Sequence, residues 1–197
     1  MKKNKLLLHQ CCAPCSVEVV AELKQSFSLT GFWYNPNIHP VSEYLRRWES
    51  LALYDRQEGI ELIKEEDSSP LWWQEITVGW ESKKERCRLC YQLRLKRTAQ
   101  AAQQLKIKNF STTLLASPYQ NHQQIAELGA RLAKTYNLKF FYQDFRPAYF
   151  TGKNSARQRG FYLQKYCGCL YSREERIAKR KNNQLTVRAN PALIIKA

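Results

Sequence analysis

A three-layer α/β fold, with a parallel β-sheet flanked by helices, is the class this sequence predicts, and two observations predict it. Short β-rich apolar runs alternate with longer amphipathic segments along the chain, the order expected when each crossover between parallel strands is a helix. The 197 residues, 44% hydrophobic and 12% aromatic, suffice for one domain with a substantial core but are few for two.

Strands are predicted at Lys5–His9, Leu29–Tyr34, Ile60–Lys64, Phe110–Ala116 and Leu138–Gln143, each a short run rich in apolar and β-favouring residues. Helices are predicted over Ser16–Gln25, Ser42–Gly59, Leu89–Leu105 and Asn121–Tyr136. In the last of these Ile125, Leu128, Leu132 and Tyr136 recur at helical spacing, and Asn137 is a stop. In an open sheet of this class, ligands collect outside the carboxyl ends of the strands. His9, Cys11, Cys12 and Cys15 follow the first strand; Tyr34, Asn35, Asn37 and His39 the second; Ser117, Pro118 and Tyr119 the fourth; Asp144 the fifth. One edge of the sheet therefore gathers the candidate chemistry.

Thirty-two Lys and Arg against seventeen Asp and Glu leave a formal charge of +15, which draws in polyanions. From Arg146 to Lys181 there are ten basic residues and two acidic ones, Glu174 and Glu175, with Tyr149, Phe150, Phe161, Tyr162, Tyr166 and Tyr171 among them. Charge interleaved with aromatic rings suits phosphate contact and base stacking. A basic amphipathic helix with a Trp or Leu face is not evident, so nucleic acid is favoured over a membrane surface. No stretch approaches the ~20 apolar residues of a membrane span, and the leading apolar run turns polar at His9 and Gln10. A cytoplasmic, monomeric protein is expected.

Seven cysteines in a reducing compartment argue for metal binding or thiol chemistry rather than disulfides. Cys11-Cys12-Ala13-Pro14-Cys15 places three sulfurs in a turn entering a helix, where backbone N–H groups and the helix dipole favour thiolate. Cys87-Arg88-Leu89-Cys90 is a C-x-x-C at a helix start, open by itself to zinc, iron-sulfur or thioredoxin-type chemistry. Cys167-Gly168-Cys169 needs its glycine so that two sulfurs one residue apart can converge, since a strand would send them to opposite faces. Seven soft ligands exceed the four that one zinc or one cubane cluster takes. Two metals, or one cluster and a redox pair, account for the excess.

The segments Leu7–Ser16, Phe32–Pro40, Glu85–Tyr91, Thr112–Asn121 and Gln164–Cys169 carry all seven cysteines in order. With them the chain resembles the epoxyqueuosine reductase family of the QueH type from about residue 5 to 172. The resemblance implies a HUP/Rossmann-like domain over 1–172 with an iron-sulfur site, followed by a basic C-terminal extension over 173–197. That extension is either a helix docked on RNA or a loosely ordered arm.

The implied activity converts epoxyqueuosine to queuosine at the wobble position of the tRNA anticodon loop, by two-electron reductive removal of the epoxide oxygen. The implied cofactors are a [4Fe-4S] cluster and an adjacent second metal ion, iron or zinc. Cluster ligands would come from Cys11, Cys12, Cys87, Cys90, Cys167 and Cys169, and Cys15 joins them as a metal ligand. Candidate proton donors, chosen by their place at strand ends, are His9, Tyr34, His39, Tyr119 and Asp144. Asn35 and Asn37 are read as turn or cap residues as readily as substrate contacts. Arg146, Lys153, Arg157, Arg159 and Lys165 are candidate phosphate contacts, and Tyr149 and Phe150 candidate stacking partners for a flipped base. The partners are then a tRNA bearing epoxyqueuosine and an electron donor that no nucleotide fingerprint identifies.

Three other classes compete. A zinc-stapled RNA-binding module leaves too many cysteines over. A tRNA-thiolating enzyme of similar fold calls for a Ser/Gly-rich phosphate loop where Cys11-Cys12-Ala13-Pro14-Cys15 stands. A thioredoxin-like oxidoreductase would use one C-x-x-C and leave five cysteines unexplained.

Overall fold

The computed structural model describes residues 3–65, 79 and 82–189, the side chains of 183–189 excepted. Five strands form one sheet in the order β3-β2-β1-β4-β5, and every neighbouring pair is parallel. They are β1 (Asn4–His9), β2 (Phe27–Trp33), β3 (Glu61–Lys64), β4 (Asn109–Thr112) and β5 (Lys139–Phe140). Leu6, Leu7 and Leu8 of the central β1 are all buried, the continuous apolar run of a strand covered on both faces. Each contributes roughly 1.5–3 kcal/mol by leaving water.

The helices are α1 (Ala13–Ser26), α2 (Val41–Gln57), α3 (Lys83–Gln104), α4 (His122–Tyr136), α5 (Tyr149–Gln158) and α6 (Leu170–Ala189). In α4 the buried Ile125, Leu128 and Leu132 form the inward stripe; Asn121 accepts from the Gln124 amide at the start, and Asn137 closes the end at φ 53°. Among the described residues no helix is long and apolar enough to cross a membrane.

Several elements depart from the predicted ones for identifiable reasons. The run Phe110–Ala116 is strand only to Thr112, because the Thr112 hydroxyl accepts from the Leu114 amide and turns Thr113–Ala116 into a 3-10 helix. Helix α3 begins at Lys83, six residues before Leu89, through a polar first turn with no apolar period to announce it. Helix α5 buries only Gly152 and Ala156, too little for hydropathy to detect. Beyond Cys169 the chain is helical through Ala189, so α6 runs across the 172/173 boundary, and 190–197 lie outside the described residues.

The chain winds from β1 outward to β3, then returns to the other side of β1 at β4. The switch point therefore lies between β1 and β4, where His9 and Thr112 are register partners. A crevice is expected outside the carboxyl ends of these two strands, and the first cysteine turn begins there.

Candidate metal centre

The turn after β1 delivers the first sulfur group. Cys12 is the N-cap of α1, in extended conformation (φ −175°, ψ 153°), with no side-chain cap, and proline stands in the first turn. The orphan N–H groups and the positive end of the helix thus face the sulfurs. Cys11, Cys12 and Cys15 are buried, and their sulfurs lie within 4.8 Å of one another, a set that can hold a metal ion. Hydrogen bonds from Cys12 and Cys15 pull the Cys11 thiol far down. Burial holds Cys12 up, and the hydrogen bond with Cys11 holds Cys15 up. The trio carries its negative charge as a unit.

Cys87 and Cys90 stand one turn apart on α3. Burial pushes Cys90 up to about 12, and the charge of Cys167 acts on both. Cys167 and Cys169 sit 3.7 Å apart on the loop before α6. The hydrogen bond from Cys169, and then Ser172, draws Cys167 down to about 5. Gly168 between them is at φ 125°, and a Cβ there would meet Ile38 Cγ1 at 3.0 Å and Arg47 Nη1 at 3.3 Å. All seven cysteines are free.

Three side chains absent from the predicted site hold the cysteine groups. Gln164 donates through Nε2 to Cys12 Sγ at 2.9 Å and reaches Cys15 Sγ at 3.5 Å, while its Oε1 is buried without a partner among the described residues. Arg94 donates to Cys90 Sγ at 2.9 Å and to Asn35 Oδ1 at 3.5 Å; Asn35 in turn donates to the Gln10 carbonyl at 2.9 Å. A third, Arg47, is 1% exposed, pairs with Glu43 at 2.8 Å, and donates to the carbonyls of Cys167 (3.1 Å) and Tyr166 (2.9 Å). The His39 amide donates to the Gly168 carbonyl at 2.8 Å, and the Tyr166 hydroxyl donates to the His39 carbonyl. The loop after β2 therefore clamps the Cys-Gly-Cys loop over the sulfur turn.

The predicted proton donors fall into different surroundings. His9 is fully buried; Nε2 donates to the Tyr34 carbonyl at 3.2 Å, which leaves Nδ1 to accept from the Thr112 hydroxyl at 2.9 Å. Burial and then the Arg94 charge push it down to about 4, so it is neutral. Asp144 is gripped by Arg146 (Nη2 to Oδ2 2.5 Å), which holds its carboxyl down at about 2. Tyr34 and His39 are half-buried in the loop after β2. Tyr119, 76% exposed, meets Tyr149 edge to face at 6.1 Å, and Tyr149 meets Phe150, 67% exposed, at 5.2 Å. Burial, then the charge of Cys15, push Tyr149 up to about 12. This aromatic ledge is on the side of the buried trio. Asn35 and Asn37 are both buried, Asn37 with Oδ1 unpartnered among the described residues.

Of the predicted phosphate contacts, Arg146 is paired with Asp144, and Arg159 is bound to Glu58 at 3.0 Å and lies over the Tyr54 and Phe161 rings. Arg157 donates to Asn154 and remains exposed on α5, as does Lys165 before the Cys-Gly-Cys loop.

The family Epoxyqueuosine reductase QueH matches residues 6–175. Relatives named Epoxyqueuosine reductase QueH include one from Dehalococcoides mccartyi, 36% identical over 89% of this chain and 96% of its own length. Others come from Acinetobacter baylyi, 38% identical over 86% of this chain and 80% of its own, and Thermotoga maritima, 36% identical over 88% and 93%. Among solved structures, the U34-tRNA thiolase NcsA from Methanococcus maripaludis with its [4Fe-4S] cluster is similar in fold, with TM-score 0.57 at 13% identity over the whole of this chain and 74% of that one. The expected α/β architecture is thus borne out. With most of its length matched, the chain belongs to the epoxyqueuosine reductase QueH family.

Proposed function

We propose that this protein reduces epoxyqueuosine to queuosine in the anticodon loop of tRNA, taking up two electrons and two protons and releasing the epoxide oxygen as water. The observation that carries the reading is the buried sulfur set of Cys11, Cys12 and Cys15, all within 4.8 Å of one another in the turn after β1, with the charge of Cys167 acting on Cys87 and Cys90 and Cys169 3.7 Å from Cys167. The donor set fits the groups implied. Three sulfurs within 4.8 Å approach the ~3.8 Å spacing expected of ligands on one tetrahedral ion with ~2.3 Å metal-sulfur bonds. Cys87, Cys90, Cys167 and Cys169 are the four thiolates a cubane takes. We therefore assign Cys11, Cys12 and Cys15 to the second metal and the other four to the cluster. When bound, these groups supply single electrons and a Lewis acid for the epoxide oxygen.

The chain's own residues do the rest. Tyr149, Phe150 and Tyr119 receive the extruded base on the side of the trio, by stacking. The hydroxyls of Tyr119 and Tyr149 are the O–H donors offered to the departing oxygen, in preference to Asp144, which is ionised, and His9, whose two nitrogens are taken. His9 then orients the turn after β1, and His39 and Tyr34 hold the loop that clamps Gly168. Arg157, Lys153 and Lys165 attract the anticodon backbone, and a low-potential one-electron donor supplies the electrons. Expression of the chain in cells that lack any epoxyqueuosine reductase tests this: their tRNA should change from epoxyqueuosine to queuosine. Unchanged epoxyqueuosine at full expression of iron-loaded protein would refute it.

A further inference from the structure

The inward face of α3 is where an apolar stripe belongs, yet at its centre, 4% exposed, stands Arg94 between Cys90 and Leu95. A guanidinium removed from water costs several kcal/mol unless an anion compensates it. Arg47, 1% exposed, has such an anion in Glu43. Among the described residues no carboxylate lies within ion-pair distance of Arg94. What surrounds Arg94 is sulfur. Cys90 Sγ is 2.9 Å from its Nη2, and Cys11 and Cys167, one from each of the other cysteine groups, are close enough to act on its charge. Each nitrogen of its fork has a partner, Nε the Cys90 carbonyl, Nη2 Cys90 Sγ and Nη1 Asn35.

We propose that Arg94 is the buried counter-cation of the metal centre, a positioning residue whose charge favours the reduced cluster and so sets how readily a low-potential one-electron donor can load it. Reduction by one electron adds one negative charge to the cluster and takes up no proton. A fixed positive charge in a dry site lowers the cost of that step. The inference rests on the reductase reading, and its test separates the two.

The experiment is a potentiometric titration of the reconstituted holoenzyme, followed by absorbance and by the paramagnetic signal of the reduced cluster, for wild type, Arg94→Gln and Arg94→Lys. At a fixed potential Arg94→Gln should show a reduced-to-oxidised ratio about tenfold lower than wild type, a shift of ~59 mV for a one-electron couple. Arg94→Lys, which keeps the charge and loses the fork, should stay within about threefold of wild type, with the same iron and sulfide content. A loaded Arg94→Gln with the wild-type ratio overturns the proposal. If Arg94→Gln does not load, Arg94→Lys decides: a displaced ratio, or loss of the cluster there too, assigns Arg94 a packing role and overturns it. Failure of the wild type to take up iron and sulfide would instead contradict the reductase reading itself.

Discussion

Gln164 donates through its side-chain amide to the Cys12 sulfur at 2.9 Å, across 152 positions of sequence. The bond fastens the segment before the Cys-Gly-Cys loop to the turn after β1, and with it the two ends of the family match. An outer partner of a metal-bound sulfur is worth 10–100-fold in metal affinity. Gln164→Leu should therefore release iron to a chelator about tenfold faster or more, while Gln164→Glu, which keeps the reach but adds charge, should not restore retention. Wild-type release from Gln164→Leu would remove the residue from the site.

Gly168 predicts a different kind of loss. At φ 125° and with Ile38 Cγ1 3.0 Å from where a Cβ would stand, Gly168→Ala carries both backbone strain and a contact that must give, roughly 1–3 kcal/mol. Denaturant unfolding should show that loss, and alkylation of Cys167 and Cys169 should accelerate. Gly160→Ala also has positive φ but nothing within 4 Å, so it should accelerate neither cysteine.

Asp55 sets a pH dependence of stability. Buried behind β2, it accepts from Gln10 at 3.0 Å, and burial pushes its carboxyl up to about 7 from an ordinary 3.8. The folded state therefore binds the proton more tightly than the unfolded state. The stability this brings is fully present below about pH 4 and is lost as pH rises through about 7. The span amounts to ~4 kcal/mol at most. Asp55→Asn should flatten the slope of unfolding free energy between pH 4 and 7 and leave the apo protein more stable than wild type at pH 8. An unchanged slope would contradict the assignment.

Much of this site was legible in the sequence because its signals are local. Three sulfurs in five residues, a C-x-x-C and a C-G-C need no tertiary knowledge, and the first β-rich run places Cys11, Cys12 and Cys15 at a strand end. Arg94, Arg47 and Gln164 were not legible, for a physical reason. A polar residue on a helix or loop reads as solvated unless something justifies its burial: Arg47 and Gln164 find their partners on distant segments, and nothing local marks the Cys90–Arg94 face of α3 as the buried one. His9 shows the converse. Its position at a strand end suggested proton transfer, whereas its two nitrogens are spent on Thr112 and Tyr34, contacts set by the β1–β4 register and the loop after β2.

The aromatic ledge is tested by binding. A stacked base is worth ~1–3 kcal/mol, so Tyr149→Ala should weaken affinity for an epoxyqueuosine-bearing anticodon stem-loop about tenfold. Lys165→Ala should weaken it at low salt and reduce the steepness of the salt dependence by about one phosphate contact. Equal affinity of Tyr149→Ala and wild type for the stem-loop would place the base elsewhere.

The most direct test is chemical. Purified chain, reconstituted anaerobically with iron and sulfide, is incubated with epoxyqueuosine-containing tRNA and a low-potential reductant, and the nucleosides are separated. The account predicts that queuosine appears as epoxyqueuosine disappears, mole for mole, and that Cys12→Ser abolishes the conversion. Fully loaded protein that leaves epoxyqueuosine intact would contradict it.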